Sequence, residues 1–547
     1  MKLKKHLSML AAGMLTAVVL VATGAVKTDA SVVLAAGNNM NVSATISGGN
    51  VNVVANATSA PASDDGMLYL FAEPMSSDTI TTSAVASAPA GTAVAFTTSL
   101  DANSAGSKLY SKFIVAAKQG GTYVPLNPGA YITNPEAIAT KTFGRTERGK
   151  KGLLTAPEKL DTGEFVDLGV KQVLYNIPVG RILGPTQMGA YPTINYTYNG
   201  KTYQMNGLAV AEFDNIFGKY TRGGASITAC LINEREWMGR SPVMYHPMAR
   251  TGASCPCYLF NNAEQSGVEA MAAVGSFLAQ RYSDGQHGRV DNWVVGNEVN
   301  IQDEWNYCNI PDINVYAREY GEGLRVFYNA IKSTNANARV YICTEHQWDR
   351  NPKGVSSHGA VKFDGKDFVD SLNNYVVSTG NIDWGLMTHP YPVPLTWAAY
   401  WTGGAYFRNL VTHSPSTAFV SMENIEVLTD YFCRQELLAP NGQVRSIITG
   451  CGYTSTQGEN YANAAMVLGY QAAANNQHID AFFIAQEMDN AASIAQGLAV
   501  GLSNADGSHK SMYDCYKQLD GPNQAAYIQQ ALALRGASSL DQVVHAR

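Results

Sequence analysis

Glu298 closes the stretch "WVVGNEVN", where an apolar run, Trp293 to Gly296, leads into Asn297 and a carboxyl. The same form, an apolar run ending in polar side chains, recurs along the chain. It gives Glu345 and His346 in "ARVYICTEH", His389 and Tyr391 in "DWGLMTHPYP", and Glu487 and Asp489 in "DAFFIAQEMD". Asn176 ends "VKQVLYN" in the same way. Carboxyls gathered from several such ends could hydrolyse a glycosidic bond. One protonates the leaving oxygen while a second attacks the anomeric carbon or activates water, at about 5 Å separation for retention and roughly 6.5–9.5 Å for inversion. Flat aromatic faces would stack on the sugar. All seven tryptophans lie between Trp237 and Trp401, among them Trp348 and, in "YPVPLTWAAYW", Trp397 and Trp401. The plainer alternatives are an ion pair with an arginine for Glu298 and core packing for each tryptophan.

Those ends need a scaffold that brings them together. From Leu153 onward, strand-like runs alternate with helix-like ones. Strands are expected at "VKQVLYNIP", "SITACLIN", "CYLFNN" or the nearby "VMYHP", "DNWVVGNE", "ARVYICTE", "DWGLMTHP", "VRSIITG" and "DAFFIAQ". Helices are expected at "GVEAMAAVGSFLAQRY", "NVYAREYGEGLRVFYNAIK", "NIEVLTDYFCRQ" and "NYANAAMVLGYQAAAN". In the first of these Val268, Met271, Ala272, Gly275, Leu278, Ala279 and Tyr282 share one face. Eight buried strands with intervening helices predict a (β/α)8 barrel over 153–547, with its site at the C-terminal ends of the strands. A doubly wound sheet is the alternative, but no Gly-rich phosphate loop follows the first expected strand. "NYTYNGKTYQMNG" reads as a hairpin turning at Asn-Gly, placed just after that strand.

Upstream, 38–140 is rich in Ala, Ser, Thr, Val and Gly. Short alternating runs such as "NVNVVAN" and "AVAFTT" predict an all-β sandwich, carbohydrate-binding or a spacer. Residues 141–152, with "GRTERGKKG", read as a linker. At the N-terminus Lys2, Lys4 and Lys5 precede a short apolar run and then small residues, the order of a secretory signal peptide over 1–35. The apolar run is shorter than the roughly 20 residues a membrane-spanning helix needs. The mature protein is therefore expected to be secreted or at the cell surface, with no membrane span.

A net charge of −6 with 15% charged residues lacks the basic stripe of a nucleic-acid binder. The eight cysteines lie between Cys230 and Cys515. "CPC" at Cys255 to Cys257, with His246 upstream, does not have zinc-module spacing and reads as free thiols or one disulfide. No metal or cofactor is expected, and oligomeric state is not readable.

Taken in order, these strand ends resemble the clan A retaining glycoside hydrolases, most closely an uncharacterised family of secreted bacterial glycosidase-like barrel proteins. The likeness runs from Leu153 to Asp520. It implies that Glu298 is the general acid/base and that Asn297 contacts the sugar. His389 and Tyr391 of "MTHPYP" resemble the pocket-lining pair after the sixth strand. From their own places and types, Asn176, His346, Trp348, Trp397, Trp401 and Asp489 are read as further substrate contacts. The resemblance also implies a nucleophilic Glu at the end of the seventh strand, yet "IITGCGYTS" carries Gly450 there. Three readings follow. Another carboxyl serves, with Glu345, Glu487 or Asp489 the candidates. Or the barrel binds carbohydrate without catalysis. Or the seventh strand is aligned wrongly. Glu423 reads instead as a helix first-turn residue.

Overall fold

The computed structural model describes residues 40–143, 148–350 and 361–547. The expected signal peptide lies outside the described residues, as does part of the expected linker.

The N-terminal region is an antiparallel sandwich. One sheet joins Asn41–Ser47, Asn50–Asn56 and Ala93–Ser99, and the other joins Ala86–Pro89, Met67–Pro74, Ser111–Gln119 and Thr122–Pro125. Period-two alternation explains it. In Asn41–Ser47 every second residue is buried, and Val42, Ala44 and Ile46 face Ala55, Val53 and Val51 across the first pair.

Eight parallel strands then close a barrel: β1 (Lys151–Leu154), β2 (Gln172–Pro178), β3 (Ser226–Ile232), β4 (Asn292–Val295), β5 (Arg339–Thr344), β6 (Trp384–Thr388), β7 (Ile447–Cys451) and β8 (Ile479–Ile484). The crossovers carry α1 (Gly207–Arg222), α2 (Gln265–Arg281), α3 (Ile313–Lys332), α4 (Gly365–Thr379), α5 (Ile425–Phe432) and α6 (Glu459–Ala474). Strands buried on both faces read as continuous apolar runs, and all seven residues of β3 are buried. One set of side chains fills the lumen, including Leu174, Cys230, Val294, Tyr341, Met387 and Phe483. The alternate set packs against the helices. The predicted face of α2, from Val268 to Tyr282, is buried as its spacing implies.

Two strand assignments change. The first barrel strand is Lys151–Leu154, which begins inside the segment read as a linker. It pairs with β8 and β2 and so closes the ring. "CYLFNN" and "VMYHP" form no barrel strand. They lie in the connection after β3, where isolated bridges join Tyr245 to Phe260, Tyr258 to Tyr307 and Cys257 to Glu234. One addition and one removal keep the count at eight and leave "DNWVVGNE" fourth. The hairpin forms as expected, Ile194–Tyr198 against Lys201–Met205, but follows the second strand. Its turn places Asn199 and Gly200 at φ of 47° and 78°, the left-handed pair that an Asn-Gly turn requires.

All eight cysteines are unpaired thiols, and only Cys433 is exposed. No helix among the described residues is long and apolar enough to cross a membrane.

Candidate active site

Where β4 ends, the chain turns through Gly296 at φ 78° and Glu298 at φ 42°. A non-glycine residue in the left-handed region is costly and is held there by its surroundings. What holds Glu298 is His389, from the end of β6, whose Nδ1 lies 2.6 Å from Glu298 Oε1. His389 Nε2 lies 3.6 Å from the Cys343 Sγ of β5, and the same thiol faces Asn297 Oδ1 at 4.0 Å. Burial opposes protonation of the imidazole, but Cys343 and the Glu298 carboxylate outweigh it and hold His389 well above its usual range. The Tyr391 ring meets His389 edge-on at 6.2 Å. His346 Nδ1–H donates to the Tyr391 carbonyl at 3.3 Å. Among the described residues it is His389, not an arginine, that pairs with Glu298.

Beside this pair stands Glu345, 8% exposed. Its Oε1 accepts the Gln347 N–H at 2.8 Å and the Asn300 amide at 3.4 Å. Burial first, then the charge of Glu298, pushes its carboxyl up to about 8. Gly450 faces the lumen from β7. A Cβ built on it would meet Met387 Cε at 3.1 Å and the His389 ring at 3.4–3.6 Å. The position from which the family resemblance expects a nucleophile is thus turned toward His389, and the imidazole lies in the space such a side chain would enter.

A cavity of about 650 Å³ opens over the ends of β1, β2, β3 and β8, walled on one side by α1. Asn176 and Glu487, both read from sequence as strand-end residues, line it together with Glu234, Trp237, Arg181 and Tyr175. Glu487 Oε2 accepts the Ala156 N–H at 2.8 Å, and burial raises its carboxyl to about 7. Glu234 is also raised to about 7, by burial and then by Glu236. Tyr175 is 6% exposed, and its hydroxyl, in the cavity wall, has no hydrogen-bond partner among the described residues.

Sequence reasoning missed Glu234, although the signal was present. "SITACLINE" ends in Asn233-Glu234 as "WVVGNE" ends in Asn297-Glu298. The strands run in register, Leu231 opposite Val295, so the two glutamates each lie three residues beyond a matched pair. The buried Cys257 thiol feels both charges. Burial first, then the charges of Glu234, Cys255 and Glu298, pushes it well up. Trp305, from the loop after Glu298, packs on the lumen core at this mouth and was also missed.

Three expected contacts are already committed elsewhere. Asp489 lines the cavity, but Oδ2 pairs with Lys510 Nζ at 2.6 Å and Oδ1 accepts the Gly501 N–H at 2.7 Å. It fastens the loop after β8. Trp348 is 2% exposed and packs edge-on against Tyr431 at 5.0 Å. Trp401 is 9% exposed, against Tyr400. Both are core residues. Trp397 stays half-buried, its indole N–H donating to Thr402 Oγ1 at 3.1 Å.

Residues 144–543 match a family described as "Family of unknown function (DUF5722)". No curated protein matches the chain. Solved structures similar to it include a family 39 glycoside hydrolase from Bacteroides cellulosilyticus WH2, at 13% identity over 88% of this chain and 82% of that one, TM-score 0.43. Endo-glycoceramidase II from Rhodococcus sp., in a cellobiose-like imidazole complex, shows 13% identity over 69% and 80%, TM-score 0.41. A GH5_18 variant from Bifidobacterium longum subsp. longum ATCC 55813, in complex with Manb1-4GlcNAc, shows 12% identity over 69% and 78%, TM-score 0.40. These neighbours are glycoside hydrolases; likenesses this distant assign no residue a role in this chain.

Proposed function

The chain belongs to DUF5722, a family of unknown function, and we propose that it is a secreted glycoside hydrolase-like protein that cleaves glycosidic bonds in an extracellular polysaccharide or oligosaccharide. Glu298, hydrogen-bonded to His389 Nδ1 at 2.6 Å, is the acid/base, and Glu234 is the second carboxyl. The observation that carries this reading is the pair of Asn-Glu steps in register after β3 and β4, whose two charges both act on the Cys257 thiol, with Glu234 lining the cavity. Secretion rests on the basic, apolar and small-residue order of the first 35 residues.

In this mechanism the saccharide occupies the cavity with its scissile bond toward Glu298. The Glu298–His389 pair gives its proton to the leaving oxygen as the bond from that oxygen to the anomeric carbon breaks. Water forms the new bond to that carbon and yields its proton to the Glu234 carboxylate. Afterwards Glu234 returns a proton to solvent and the Glu298–His389 pair takes one up, so the net change is addition of one water. A base near 7 is matched to neutral operation. The rate should therefore rise with pH through about 7 as Glu234 ionises.

Dinitrophenyl glycosides, whose leaving group needs no acid, separate the two roles. On these substrates Glu298→Gln is expected to keep most of its activity and Glu234→Gln to lose roughly 10²-fold or more, with azide partly rescuing Glu234→Ala. On unactivated oligosaccharides both variants should be impaired. Loss of activity in Glu298→Gln alone, with Glu234→Gln unaffected, would remove Glu234 from the mechanism. A parent chain that turns over no glycoside would overturn the hydrolase reading.

The second reading, a saccharide-binding barrel without catalysis, is favoured by Gly450 and by the imidazole in front of it. It predicts binding without turnover in the parent and activity only in Gly450→Glu.

A further inference from the structure

We propose that His413, Glu426 and His545 form a binding site for a divalent transition-metal ion of the zinc type, away from the barrel mouth. His413 comes from the connection after β6, Glu426 from the first turn of α5, and His545 from the C-terminal segment. One ligand atom from each, an imidazole nitrogen or a carboxylate oxygen, lies within 4.8 Å of the other two.

The carboxylate of Glu426 is the fixed point. The residue is 4% exposed, and its Oε1 lies 2.5 Å from His413 Nδ1. The His545 ring stands 4.2 Å from that of His413, tilted by 40°. A plain ion pair would need one imidazole; here two converge on a single buried carboxylate. Zinc holds nitrogen and oxygen ligands at roughly 2.0–2.2 Å, which puts tetrahedral ligand atoms roughly 3.3–3.5 Å apart. His413 would have to withdraw slightly from Glu426 and the widest pair to close. Both histidines are exposed and able to make those adjustments. Imidazole with carboxylate suits zinc and its neighbours, whereas magnesium and calcium take oxygen ligands alone. Three protein ligands leave a fourth position for water.

Such an ion would fasten the C-terminal segment to α5. Arg547 already reaches that helix, its guanidinium on the Asp430 carboxylate at 2.6 and 2.8 Å. Glu423 and Arg547 are the other charges that reach His413.

The test is titration of the chelator-treated full chain with zinc chloride, by calorimetry and by thermal denaturation. One ion per chain is expected, with a rise in Tm on binding. His413→Ala and His545→Ala should each weaken binding by more than the roughly 10–100-fold that loss of an outer-shell partner costs. Cys433, whose Sγ lies 3.5 Å from His478 Nε2, is the competing surface pair, and Cys433→Ser should leave zinc affinity unchanged. The proposal is overturned if zinc does not bind saturably, if either histidine variant binds as the parent does, or if Cys433→Ser abolishes binding. His545→Ala removes only an exposed side chain, so its loss of zinc is not a folding defect. That is checked by an unchanged Tm in the presence of chelator.

Discussion

Glu345 concentrates the electrostatics of the barrel mouth in one side chain. Its carboxyl is held at about 8 against an ordinary 4.5, so the folded chain favours its neutral form. The stabilisation is fully present below about pH 4.5 and is lost as pH rises through 8. Glu345→Gln fixes the neutral form. Its Tm relative to the parent should therefore improve by a few degrees between pH 5 and pH 8.5. A difference that is the same at both pH values would show that the carboxyl does not titrate in this window. At this scale the sequence carried the polar ends of the strands, and Glu298 with His389 was legible because a strand buried on both faces is a continuous apolar run whose end is marked by the first polar side chains. Its limit was occupancy. Nothing local to Asp489 shows that Lys510, Gly501 and a carboxylate would close on one another, and nothing in "EHQWD" distinguishes a buried Trp348 from an exposed one. Glu234 was passed over because its strand was read as ending at Asn233.

Among the elements, β1 was the hardest to see. Four residues following a run of Lys, Arg and Gly offer too little apolar length to register as a strand, and "KGLL" is recognised only once β8 and β2 are beside it. The strand depends on Gly152. Opposite it on β8 is Phe483, and a Cβ on Gly152 would stand 2.5 Å from Phe483 Cδ1 and 2.8 Å from Cε1. The ring fills the lumen because the glycine leaves room. Gly152→Val should cost about 1–3 kcal/mol through overpacking, seen as a lower denaturant midpoint with an unchanged slope. Phe483→Leu in the same chain should recover part of that loss, since it shortens the group in the way. No recovery would mean that the barrel closes by a different contact. The spurious third strand has the opposite cause. "CYLFNN" has the composition of a strand but lies in the long connection after β3, where its apolar side chains cover the barrel rather than complete it.

Across the whole molecule, the sandwich and the barrel share buried contacts that sequence offered no means of pairing. The contact centres on Glu322 of α3, 5% exposed. Its Oε1 accepts the hydroxyls of Tyr131, from the segment after the sandwich, at 2.8 Å and of Tyr375, from α4, at 3.1 Å. Lys112 of the sandwich lies 3.4 Å from the same oxygen, and Asn329 of α3 donates to the Leu109 carbonyl at 2.9 Å. Tyr131 and Glu322 are 191 residues apart, beyond any periodicity or motif, so the sandwich read from sequence as a separate unit behind a linker. With its acceptor in place, the two parts should unfold together. Glu322→Leu leaves two tyrosine hydroxyls and one ammonium at a buried seam without their shared partner. Breaking such a pair costs about 3–5 kcal/mol when the remaining charge is stranded, but Lys112 keeps Asp78 at 3.2 Å, so the lower end, about 3 kcal/mol, is expected. Because that loss falls on the seam rather than on either core, calorimetry of the variant should resolve the parent's single transition into two. A single transition shifted as a whole would mean that the apolar contacts around the seam, not the carboxylate, couple the sandwich to the barrel.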